Sequence, residues 1–291
     1  MNDRKTPSRY ERNIKYNRSR KKKLRFRKWV IVVFFMFFLS VFAVSINQVY
    51  HWFKDNKEIE NISDNVVKDT RVKEKKDTEN TENINPPDNK DNDYWNYIKM
   101  SLLEVDFNEL LKKNSDTVGW IQVKGTNINY PIVQTTDNKY YLSHAFDKTS
   151  NDAGWVFMDY RNDAVNFNQN TILYAHSRYN GTMFGSLKNI LNSSWYLDKD
   201  NHIIRLSTPT ENTMWQVFSV YTTPKESYYI TPSFNTLEAY SEFLNTIKGR
   251  SEVEFSGTVN TNDKVLTLST CQDNFGNRIV MHAKLIKKEL R

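Results

Sequence analysis

The chain of 291 residues has a single cysteine, Cys271, so an internal disulfide is excluded. Histidine is almost as scarce. The five present, His51, His144, His176, His202 and His282, do not cluster with cysteine or carboxylates at metal-ligand spacing, so neither a metal nor an organic cofactor is expected. No internal repeat is present, which argues against a solenoid or propeller. Acidic residues are few where basic ones are dense: residues 1–28 carry thirteen Lys or Arg against Asp3 and Glu11. That tail is net +11 within a whole-chain charge of +7, and everything after it sums to −4. The positive charge belongs to one tail, and a nucleic-acid-binding body is poorly supported.

The basic tail gives way to an uncharged run, WVIVVFFMFFLSVFAVSI at 29–46, interrupted only by Ser40 and Ser45. As a helix it would be roughly 27 Å long, matching the hydrocarbon thickness of a bilayer. No A-x-A cleavage site succeeds it, and His51, Trp52 and Phe53 have the character of an interfacial aromatic belt. The run is expected to be an uncleaved anchor. Basic residues stay on the cytoplasmic side, which places 1–28 inside and the bulk of the chain outside the cell. In that oxidising setting Cys271 is either a buried inert thiol or a nucleophile.

Residues 47–93 are expected to form a flexible extracellular stalk, because from Lys54 to Asp93 the chain is mostly Asn, Asp, Glu, Lys and Thr, with few large apolar side chains to offset ordering entropy. Between Tyr94 and Asn114, Trp95, Ile98, Leu102, Leu103, Val105, Phe107, Leu110 and Leu111 recur mostly at helical spacing, which predicts one or two helices. Beyond them come eight short runs rich in β-branched and aromatic residues: 119–123, 128–133, 154–160, 171–176, 202–207, 214–221, 265–271 and 278–286. Eight such strands separated by turn-formers predict a mostly β fold, a closed barrel or a sandwich. Helical interruptions are expected near 183–191 and 234–247.

Chemistry concentrates near the C-terminus. TLSTC ends at Cys271, the turn-formers Asp273, Asn274, Gly276 and Asn277 come next, and a new strand starts at Arg278. Antiparallel pairing of the two strands would bring Cys271 and Arg278 together at the barrel mouth, where a guanidinium can hold a peptide carbonyl or an oxyanion. Of the histidines, His51 lies outside the folded domain, and His144, His202 and His282 stand in strand-like text that favours structural roles. His176 closes one strand and opens a Gly-containing loop, a position from which a side chain reaches a cleft.

TLSTC with the trailing Arg278 resembles the signature of the sortases. ILYAHSRYNGTMFGSL at 172–187 resembles the segment carrying their histidine, in a form characteristic of class B, and GWIQVKGTNINYPIVQ at 119–134 is also class B-like. The similarity spans 94–291, which is expected to be the catalytic domain. It implies an eight-stranded closed barrel with N-terminal helices and an inserted helix before the last strand pair. It also implies a cysteine transpeptidase with Cys271 as nucleophile, His176 as proton carrier and Arg278 as oxyanion partner. Such an enzyme cleaves a threonine-containing sorting signal in surface proteins through a thioester and passes the acyl group to a peptidoglycan amine. Substrate contacts carried over on matching positions are Asn129, Val133, Tyr229, Ile230, Ser269 and Thr270, each of which also has a plain packing reading. Gln272 departs from the acidic residue found after the cysteine in some relatives. Two alternatives stay open: a class B-like pilin polymerase, and a non-catalytic wall-binding β-barrel.

Overall fold

The computed structural model describes residues 8–271 and 276–291, with the backbone alone at Cys271. The thiol of Cys271, Gln272, Asp273 and Asn274 lie outside the described residues. The chain divides into two compact units, Met1–Lys54 and Asp55–Arg291. In chain order the elements are α1 (Arg9–Asp69), β1 (Val72–Lys75), β2 (Thr81–Asn83), α2 (Tyr94–Tyr97), β3 (Leu102–Val105), α3 (Phe107–Lys113), β4 (Thr117–Val123) and β5 (Asn129–Val133). They continue with β6 (Phe157–Met158), β7 (Asn170–His176), α4 (Ser193–Tyr196), β8 (Ile203–Ser207), β9 (Glu211–Thr223), α5 (Leu237–Gly249), β10 (Val265–Cys271) and β11 (Arg278–Leu290).

Within the first unit, α1 carries the apolar run 29–46 as continuous helix with its large side chains exposed. By length and composition it is a candidate membrane span.

In the second unit eight strands close into a ring in the order β10, β7, β6, β5, β4, β8, β9, β11, and the antiparallel β10–β11 pair completes the circle. The small strand β2 extends the same sheet along the far half of β11. Closure leaves no free edge within the ring. Trp120, Trp155, Trp215, Ile172, Leu268 and Met281 belong to one buried cluster. The eight expected strands are all present, with 154–160 reduced to the two-residue β6. The 183–191 segment forms a 3₁₀ turn, Gly185–Asn189, and the inserted helix is α5. Thr236 caps α5 by accepting from the Ala239 N–H, and its buried face, Tyr240, Phe243, Leu244 and Ile247, recurs at helical spacing.

Two expectations are corrected. The stretch expected as a flexible stalk is ordered beyond Asp55: α1 runs to Asp69, and Ile59 and Val66 are 0% and 4% exposed in the barrel's core cluster. Composition averaged over the segment hides Ile59, Ile62 and Val66, which fall on one helical face. The polar residues there also find buried partners. Lys287, fully buried, donates to the carbonyls of Ile98 (2.8 Å) and Met100 (2.9 Å) and pairs with Asp77, while Glu289 pairs with Lys75 at 3.0 Å and accepts from Thr78 and Thr81. A buried charge is tolerated only when satisfied in this way, so these bonds fasten the strap to the barrel. The second correction concerns 94–114, where Leu102–Val105 is strand β3, paired with β1, between the short helices α2 and α3. Its alternate apolar residues satisfy a strand as well as a helix, and the partner strand decides.

Candidate active site

β7 and β10 run parallel, and their register places Cys271 beside His176 as the last pair of the ladder. On the other side of β10, the antiparallel register with β11 reaches Ser269 opposite Val280, so the next positions converge on Cys271 and Arg278. Arg278 itself pairs with Thr223 of β9. Three strand ends thus bring His176, Cys271 and Arg278 to one rim of the barrel.

His176 is half-buried, and its Nε2–H donates to the Leu142 carbonyl at 2.8 Å, a bond supplied by the 3₁₀ turn Tyr140–Leu142. Burial pushes its pKa below the ordinary value; the Leu142 bond opposes this and the nearby Arg178 charge adds to it. Because a carbonyl can only accept, Nε2 carries a proton in either charge state, and Nδ1 is left as the ring atom that exchanges one. Gly154 makes room for this ring. Its φ is +61°, and a Cβ there would stand 2.5 Å from the Tyr141 oxygen and 3.1 Å from His176 Cδ2.

The loop after His176 is held from α1: Arg178 donates through Nε (3.0 Å) and Nη2 (2.6 Å) to Asn56 Oδ1, and Asn180 donates to Glu60 at 2.8 Å. The sequence reading missed these contacts because it assigned 47–93 to a stalk.

Arg278 is half-buried and donates through Nη1 to the Thr270 carbonyl at a long 3.4 Å. Its Nε is buried and, among the described residues, has no hydrogen-bond partner. An unmet guanidinium N–H costs free energy and suits an acceptor that arrives with a ligand. Arg278 lines a cleft of about 690 Å³ together with Tyr174, Tyr228, Tyr229 and Ile230.

The carried-over substrate positions separate by exposure. Asn129 is half-buried, and its Oδ1 accepts from the Trp120 indole at 2.9 Å. Because β5 runs parallel to β6, which is antiparallel to β7, Asn129 stands at the barrel end where β7 finishes. Ile230 is half-buried in the cleft beside the buried Tyr229. Val133, Ser269 and Thr270 are buried. Val133 sits in the core cluster, Ser269 Oγ lies 3.2 Å from Tyr229 Oη, and Thr270 Oγ1 accepts from the Ile279 N–H at 2.8 Å. Their side chains back the site from below.

One network had no sequence signal. Asp159, fully buried, pairs with Arg161 at 2.6 Å and accepts from Tyr174 Oη, and Arg161 Nη2 donates to the Ile230 carbonyl at 2.8 Å. Burial pushes the Asp159 carboxyl up, but Arg161 and Tyr174 more than offset it, and its pKa lies below the usual value. The remaining histidines have local partners. His144 stacks on Tyr140 and meets its carbonyl, His202 meets the Tyr196 carbonyl, and His282 is enclosed among Tyr221, Phe218 and Thr267. No group of three or more metal-ligating side chains occurs among the described residues.

Residues 121–286 match the family model for the sortase domain. The chain is 39% identical over 184 residues to sortase B of Staphylococcus aureus, covering 62% of this chain and 75% of that protein. Among solved structures it resembles sortase B from Bacillus anthracis in complex with AAEK1, with TM-score 0.64, 35% identity, and 81% of this chain and 99% of that one covered. It also resembles a Staphylococcus aureus sortase B–substrate complex, with TM-score 0.58, 38% identity, and 62% and 84% covered.

Proposed function

The chain belongs to the sortase family as a class B sortase transpeptidase, and from that premise we propose how its site works and what it joins. Cys271, as thiolate, attacks the carbonyl carbon of a threonine in the sorting signal of a surface protein. The carbonyl pair moves onto oxygen, where the guanidinium of Arg278 receives the charge. The peptide C–N bond then breaks, the departing amine takes a proton from His176, and a thioester remains on Cys271. An amine of peptidoglycan attacks that thioester. Its surplus proton passes to His176, the C–S bond breaks, and the thiolate returns as the new amide leaves.

The observation that carries this reading is the convergence of the last β7–β10 pair, His176 and Cys271, with the first residue of β11, Arg278, at one rim. The buried Nε of Arg278, which has no hydrogen-bond partner among the described residues, supports its role as carbonyl and oxyanion donor. Tyr229 and Ile230, with Arg278 in one cleft, and Asn129 at the same barrel end form the surface for the residues preceding the threonine. The sortase B relatives favour neither a pilin polymerase nor a non-catalytic barrel.

For location, the helical run 29–46 crosses the cell membrane with the basic tail in the cytoplasm, and the catalytic unit faces the wall, as the positive-inside rule directs. The test is a panel of threonine-containing sorting peptides offered to the full chain in detergent, with an amine acceptor, followed by intact-mass spectrometry. A thioester adduct on Cys271 that converts to an amide product is expected. Absence of both adduct and cleavage across the panel sinks the proposal.

A further inference from the structure

Beneath α5 lies a chain of buried polar groups that the transfer chemistry does not use. Asn170, at the start of β7, sends its Nδ2 to two backbone carbonyls, those of Tyr229 and Thr231, each at 3.0 Å. Two carbonyls can only accept, so the atom facing them is the amide nitrogen, and Oδ1 is left as an acceptor. Thr267 Oγ1 stands 2.6 Å from that Oδ1 and must donate to it. A hydroxyl has one proton. The 2.8 Å contact between Thr267 Oγ1 and His282 Nδ1 therefore requires Nδ1 to be the donor.

His282 is 0% exposed, and burial pushes its pKa down to about 3, so the ring is neutral and Nε2 holds a lone pair. Tyr221 Oη, 2.9 Å away, donates to Nε2, and having spent its proton it accepts from Tyr228 Oη at 2.8 Å. Every donor is thereby assigned. The path leaves the side chain of Tyr228, crosses β9, β11, β10 and β7, and returns to the carbonyls of Tyr229 and Thr231. Thr267 and His282 are direct partners in the antiparallel register of β10 and β11, which sets their approach.

We infer that His282 is a positioning residue of the transfer reaction: as the neutral Nδ1–H tautomer it closes a ring of hydrogen bonds that fixes segment 228–231 against the strand ending in Cys271. Segment 228–231 carries Tyr228, Tyr229 and Ile230, which share a cleft with Arg278. The inference rests on the reading of that cleft as the sorting-signal site. Local hydrophobic packing could hold a loop near a barrel. A fully satisfied polar ring sets its register, because slipping by one residue would leave buried donors and acceptors unmet. Opening the ring at any one link ends the constraint it adds to the other bonds on this segment, those of Arg161 to the Ile230 carbonyl and of Ser269 with Tyr229 Oη, so a second cut adds little.

The experiment uses the full chain in detergent micelles. With histidine labelled by ¹⁵N at both ring positions, the His282 signals, assigned by their loss in His282→Gln, should show a protonated Nδ1 and an unprotonated Nε2. Tyr221→Phe and Thr267→Val each remove one link. Each should raise KM for a sorting peptide about three- to tenfold, the scale of one hydrogen bond, with kcat within about twofold. The double variant should match the single ones instead of multiplying them.

A protonated Nε2 in His282, an unchanged KM in both single variants, or multiplicative effects in the double variant overturns the inference. A fall in thermal stability with KM unchanged shows a merely structural role and overturns it equally. If the unaltered chain cleaves no sorting peptide, the transpeptidase reading falls, and the ¹⁵N spectrum still decides whether the ring exists.

Discussion

His176 and Cys271 are partners in the parallel ladder of β7 and β10, although β8, β9 and α5 lie between them in the chain. Their backbone proximity is a property of barrel closure, and the proposed mechanism builds its reactive pair on it. Cys271→Ala is expected to abolish both cleavage and transfer, because no other residue can supply a thiolate. The variant should keep the far-ultraviolet circular dichroism spectrum of the parent. Measurable turnover in the folded variant would end the nucleophile assignment.

Arg278 and His176 should fail differently. Arg278→Lys keeps the charge but loses the planar fork and the buried Nε–H, so acylation should fall at least ~100-fold, the scale of one oxyanion donor. His176→Ala removes the proposed proton donor, and general acid catalysis is worth roughly 100- to 10,000-fold. A thioester substrate with a low-pKa leaving group needs little protonation on departure and should partly rescue His176→Ala but not Arg278→Lys. Quenched-flow mass spectrometry of the Cys271 adduct against leaving-group pKa measures this, and equal dependence in both variants means the roles are misassigned.

Ile59 tests the ordered strap. In a flexible stalk, Ile59→Ala would leave stability unchanged, whereas at 0% exposure in the core cluster it should cost ~2–5 kcal/mol. Urea denaturation of the full chain in detergent, tracked by tryptophan fluorescence, gives the difference. A change within about 0.5 kcal/mol, as for an ordinary surface substitution, contradicts the packing.

Acid should destabilise the fold in two stages. His176, His202 and His282 all have lowered pKa values, in each case chiefly by burial. Their contribution is complete above the unfolded histidine value of about 6.5 and is lost as pH falls toward the folded values, since the unfolded chain takes up protons first. Asp93, Asp159 and Glu289 are also lowered, their partners outweighing burial, and their contribution disappears at lower pH, below the unfolded carboxylate range. The urea midpoint should drop between pH 7.5 and 5.5 and drop again below about pH 4. A midpoint flat from 7.5 to 5.5 refutes the histidine part.

Most of the barrel was legible because a strand buried on one or both faces must be written in β-branched and aromatic residues, as in TILYAH and VLTLSTC. α5 showed itself through Tyr240, Phe243, Leu244 and Ile247 at helical spacing. Segment 154–160 reads as a full strand, yet only Phe157 and Met158 pair, because ladder partners are non-local. Asn56, Ile59 and Lys287 gave no warning of their burial. A polar or isolated apolar residue reveals its role only when a distant segment supplies its partner.

The separation into a basic tail, an apolar run and a β-rich body is written in the chain, since charge, hydropathy and strand periodicity are local properties that no partner is needed to express. The chain also makes Cys271 the only thiol available to any chemistry. The tertiary structure alone decided that β7 and β10 lie side by side, that the Leu142 carbonyl engages His176 Nε2, and that Tyr228, Tyr221, His282, Thr267 and Asn170 join in one ring. These depend on closing a sheet on itself. Closure sets register between strands far apart in the chain, and register decides which polar groups meet.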